Sequence, residues 1–141
     1  MTEMFLGPYL LSSVSVVGLL LMYPIQLFVG DAAQHKMGHA PGTPALGGVT
    51  DFAFRAERAA SNSLENMPFM ILMMIMAVCF AAPVGLANFL AISALVLRLV
   101  HMVAYYANWP DLRGLSWLAG VLVMLIMAGS LAFAAAASLV G

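Results

Sequence analysis

Four long apolar runs decide what this chain can fold into. Residues 4–29, 51–82, 86–108 and 115–140 are each dominated by Leu, Met, Ala, Val and Phe. At about 1.5 Å of rise per residue, each run can cross a hydrocarbon core of ~30 Å as one helix. The expectation is an all-α integral membrane four-helix bundle forming one domain. The composition agrees. The chain is 64% hydrophobic and 8% charged, whereas a soluble domain carries about a quarter charged residues.

A net charge of −1 argues against electrostatic binding of nucleic acid. The single cysteine, Cys79, excludes an intrachain disulfide and a cysteine metal cluster, and reads as a small buried hydrophobe. No cleavable leader is expected: the start carries Glu3 rather than basic residues, and the first apolar run is too long for a signal core. Pro8 and Pro24 fall near the ends of the first span, and Gln26 reads as a polar helix end. Residues 30–50 read as a loop. Asp31, His35 and His39 are four apart, a spacing that suits a metal on a helix. Gly38 and the breakers after it make a solvated loop the better reading, and no metal site is expected.

Asp51 suits an N-cap of the second span. Residues 83–85 form a tight turn, and 109–114 a short connection with Pro110 suited to a first helical turn. Gly120, Ala128, Gly129, Ser130 and Ala132 are small enough for close helix packing in lipid. Under four spans, Lys36, Arg55, Arg58 and Arg113 share one side, which the positive-inside rule assigns to the cytoplasm, with both termini opposite. Trp109, Tyr105 and Tyr106 suit an interfacial belt there.

Charge is concentrated where it is costly. Arg55, Arg58, Asn62 and Glu65 step by three, four and three, with Asn66 beside them, so they share an arc of roughly 80° on one helix. The third span repeats the steps with Arg98, His101, Tyr105 and Asn108. An arginine inside a membrane span is a functional hypothesis whose partner must be named. Counted from the turn at Pro83, Glu65 and Arg98 differ in depth by roughly 7 Å, and a Glu65–Arg98 ion pair is expected. The two stripes then face each other across a polar pocket with more cations (Arg55, Arg58, Arg98, Arg113) than carboxylates. Such a pocket suits a small polyanion and a lipid-soluble partner.

These residues carry a resemblance. Arg55, Arg58, Asn62, Glu65, Asn66 and Pro68, then Arg98, His101 and Tyr105, then Pro110 and Arg113, resemble the pattern of the MAPEG superfamily over about residues 50–120. That group comprises membrane-associated proteins of eicosanoid and glutathione metabolism, and the compact spacing before Pro68 is closer to its bacterial members. The resemblance implies a homotrimer of four-helix protomers in a bacterial inner membrane, with glutathione as cofactor bound between neighbouring subunits. It places Arg58, Asn62, Glu65, Arg98, His101 and Tyr105 at the glutathione, with Arg55 in the same stripe. It places Arg113 by the sulfur, favouring the thiolate. The implied activity is a membrane-bound glutathione-dependent transferase or peroxidase acting on hydrophobic electrophiles. The alternatives are a non-catalytic lipid-binding scaffold or accessory subunit, and a small channel. Ser61, the pair His35–Lys36 and Gly114 depart from the pattern, and each removes a possible anion contact.

Overall fold

The computed structural model describes residues 7–38 and 43–140. Four helices run in order: α1 (Leu10–Lys36), α2 (Phe52–Cys79), α3 (Val84–Tyr106) and α4 (Pro110–Val140). All four are long and apolar enough to cross a membrane. Large side chains such as Phe28, Phe89 and Phe133 stand exposed around the outside. In water that surface would be untenable; in lipid it is the expected exterior. The protein is an integral membrane four-helix bundle.

Two helices extend past their expected limits. α1 continues through Lys36, so residues 30–36 are helix rather than loop, and Pro24 lies well inside it. Ala32, Ala33, Gln34 and Lys36 favour helix. The stop comes at Gly38, in the left-handed region at φ 75°, with its N–H donating to His35 O. Asp31 and His35 therefore sit on an exposed helical end, and His39 lies outside the described residues. Gln26 is likewise no helix end; it is mid-helix and 1% exposed. α4 starts at Pro110 rather than Leu115, so the α3–α4 connection shrinks to residues 107–109. Proline's fixed φ suits a first helical position, and Asp111 complements the helix dipole there. Asn108 takes the left-handed φ of 57° that makes so short a turn possible.

Asp51 caps α2 as its sequence suggests: the side chain accepts from Ala53 N–H at 2.9 Å. α2 ends at Cys79, which is exposed rather than buried. Ala81 at φ 48° turns the chain into α3.

α1 packs on both α2 and α3, while α4 leans mainly on α3. The core is rich in methionine: Met22, Met67, Met70, Met74 and Met127 close around Leu19, Leu90, Ala91 and Ala94. Flexible thioethers fill irregular gaps between packed helices. Gly18 packs against the Leu95 side chain of α3; an added Cβ would lie 2.9 Å from Cδ2 and displace the end of that leucine. Of the small α4 residues, Gly120 faces Met70, while Ala128, Gly129 and Ala132 are exposed. The far end is tied by Tyr9 Oη–H donating to Ala82 O at 2.6 Å and by Ser12 donating twice to Asn88 Oδ1.

Candidate functional site

Arg55 is an anchor between elements. Its Nε donates to Tyr105 O at 3.0 Å, and Nη1 donates to Val49 O and Thr50 O at 2.9 and 2.8 Å. Nη2 reaches Tyr106 O at 3.4 Å, and the guanidinium lies 5.8 Å from the Phe52 ring centroid. The fork binds the segment before α2 to the end of α3, where the last carbonyls lack helical partners. It thereby sets the height of α3 beside α2.

Arg98 is 4% exposed and donates from Nη2 to Asn62 Oδ1 at 2.9 Å and Ser63 Oγ at 3.1 Å. The expected Glu65–Arg98 ion pair is not formed: Glu65 is exposed, and two neutral side chains on α2 take its place. The reason lies within the arc itself. At about 100° per residue, Arg55, Asn62 and Asn66 cluster on one edge, and Arg58 and Glu65 on the other, roughly 60–80° away. The first edge turns into the bundle. The second faces outward, and Arg58 and Glu65 are both exposed. Depth alone could not separate the two edges.

His101 is 2% exposed. Its Nδ1 lies 3.1 Å from Arg113 O and 3.0 Å from Ser116 Oγ, while Ser116 Oγ–H donates to Arg113 O at 3.0 Å. With the serine proton directed at that carbonyl, the tautomer that satisfies all three groups carries hydrogen on Nδ1. Nε2 is then an acceptor, and it is buried without a partner. Tyr105 stands edge-on to His101 with ring centroids 5.1 Å apart. The half-buried Arg113 guanidinium lies 4.9 Å from the Tyr105 centroid, within cation–π range.

The α3 stripe thus turns inward as a unit through Arg98, His101 and Tyr105, joined by Arg113 from α4 and Asn62 from α2. Asn108 ends the stripe in the exposed turn. Two residues the sequence pattern does not mark are essential to this geometry. Ser63 lies outside the α2 arc, yet it is fully buried and accepts from Arg98. Ser116 belongs to a helix whose early start hides its register with His101.

Arg98 Nε is also buried and unpartnered. One unpaired donor and one unpaired acceptor, a turn apart on α3, are costly unless something completes them. Among the described residues, no three His, Cys, Asp or Glu side chains are grouped to hold a metal.

A family model described as "MAPEG family" matches residues 11–133. Comparison with curated proteins finds no match.

Proposed function

Because the chain belongs to the MAPEG family, and because of its buried Arg98–His101–Tyr105–Arg113 cluster, we propose a membrane-bound glutathione-dependent transferase or peroxidase acting on hydrophobic electrophiles. The observation that carries this reading is the pair of unpaired polar atoms, Arg98 Nε and His101 Nε2, beside a guanidinium already placed on Tyr105. Glutathione, when bound, would supply a thiolate nucleophile. Arg113 would hold negative charge at the sulfur and lower the thiol's pKa. Arg98 would donate from Nε to a carboxylate, and His101 Nε2 would accept an N–H. Glu65, exposed on the outward edge of α2, would take the ammonium. Ser116 would keep His101 turned so that Nε2 points away from α4. Arg55 has its donors on four carbonyls and would shape the site from behind.

The outward edge of α2 supports a homotrimer. Arg58 lies about 9 Å and Glu65 about 20 Å along α2 from its start. Lipid is a poor neighbour for either, so the proposal places further copies of this chain there, with glutathione held between them. The basic connections would face the cytoplasm, most simply at a bacterial inner membrane. One observation favours the non-catalytic scaffold instead: Gly114 leaves no hydroxyl next to Arg113.

The test uses detergent-purified protein. Added glutathione should produce thiolate absorbance, and a chlorodinitrobenzene-type electrophile should be conjugated. Arg113→Ala should abolish both while the protein remains folded. Binding of glutathione without thiolate or conjugation would select the scaffold.

A further inference from the structure

On the opposite side of the bundle, α1 and α2 enclose a recess of about 110 Å³ near the end of α1 that carries the connection to α2. Its walls include Gln26, Asp31, Gln34, Glu57 and Ser61, and no lysine or arginine. Gln26 is the unusual member. It is 1% exposed, and both Oε1 and Nε2 are buried without a partner. An unpaired amide inside a membrane protein costs several kcal/mol, which a matched ligand would recover. Glu57 is partly engaged, since its Oε2 accepts from Gln34 Nε2 and from Ala45 N–H. Asp31, one turn and a half beyond Gln26 on α1, is exposed at the mouth.

The recess does not end in polar groups. Tyr23 and Leu64 also line a second cavity of about 270 Å³, which continues along the same α1–α2 seam between Leu20, Met67, Pro68 and Ile71. The seam is therefore acidic at the end nearest the water and apolar toward the middle of the bilayer. That profile matches an amphiphile with a cationic head.

We propose that this seam binds a phospholipid with a primary ammonium headgroup, of the ethanolamine type. Asp31 and Glu57 complement its charge. Gln26 Oε1 accepts an ammonium N–H, and Gln26 Nε2 donates to a phosphate or ester oxygen a few bonds away. A simple cation would leave Nε2 unpaired. A quaternary choline head has no N–H to give Oε1. The acyl chain lies along Leu20 and Ile71. The site meets the Arg98–His101 cluster only at Ser63, which lines the second cavity and accepts from Arg98, and none of the groups proposed to hold the headgroup belongs to the glutathione reading.

The experiment reconstitutes the full chain in vesicles containing equal amounts of ethanolamine and choline phospholipids with identical chains. The protein is then extracted gently, and the retained lipid is counted by native mass spectrometry. The wild type should retain the ethanolamine lipid with about tenfold preference, the worth of one charge-assisted hydrogen bond. Asp31→Asn, at an exposed position, should bring the ratio close to one, and Gln26→Leu should do the same. If Gln26→Leu fails to fold, Asp31→Asn alone decides. An equal ratio in the wild type, or an unchanged preference in Asp31→Asn, overturns the proposal. Displacement by soluble phosphoethanolamine would overturn the lipid assignment in favour of a free solute. An oligomer that retains no lipid would show the seam covered by a second copy, and would overturn it as well.

Discussion

His101 Nδ1 on α3 lies 3.0 Å from Ser116 Oγ on α4, and both contact the backbone carbonyl of Arg113. One hydroxyl therefore couples a buried imidazole to the segment that carries the cation proposed to face the sulfur. The three-residue connection between α3 and α4 makes this coupling short and stiff.

Ser116→Ala removes that link. It should cost about 1 kcal/mol of stability, as for a typical lost hydrogen bond, measured by thermal unfolding in detergent. The larger effect should be on glutathione thiolate absorbance, with Ser116→Thr restoring it. Equal loss of absorbance in Ser116→Ala and Ser116→Thr would remove the positioning role.

Arg98 depends on Asn62 and Ser63 rather than on Glu65. Asn62→Ala should destabilise the protein by about 1–3 kcal/mol, the cost of leaving a buried donor unpaired. Glu65→Gln should change stability by under about 0.5 kcal/mol, as for a surface position. Unfolding midpoints for the two variants check the ranking. A Glu65→Gln loss as large as that of Asn62→Ala would restore the ion pair.

Arg55→Lys keeps the charge and loses the fork. A single ammonium cannot serve Val49, Thr50, Tyr105 and Tyr106 together. The expected cost is about 2–4 kcal/mol, one or two charge-assisted bonds. Hydrogen exchange should increase first at the α3–α4 connection. Protection there equal to that of the parent would contradict the anchoring role.

Cys79 is exposed at the end of α2 that meets the Pro83 turn. A membrane-impermeant maleimide should label it in whole cells under the proposed orientation, with the basic connections inside. Labelling confined to inverted vesicles would reverse the topology.

The number of spans, the N-cap at Asp51 and the inward-facing α3 stripe were legible in the chain itself. They depend on properties local to one helix: apolar length, capping chemistry and the 3.6-residue period. The extra turns of α1 and α4 were less visible, because polar residues at a helix end look like loop until their capping geometry is known. The α2 stripe shows the main boundary. Periodicity places Arg58 and Glu65 beside Asn62, but not the direction in which each edge of the arc points. That direction is set by where α1, α3 and α4 press on α2, which is a relation between helices. The same holds for Ser63, Ser116 and the unpaired amide of Gln26. A side chain's spacing along one helix is written in the sequence, whereas its partner across a gap is chosen only when the helices pack.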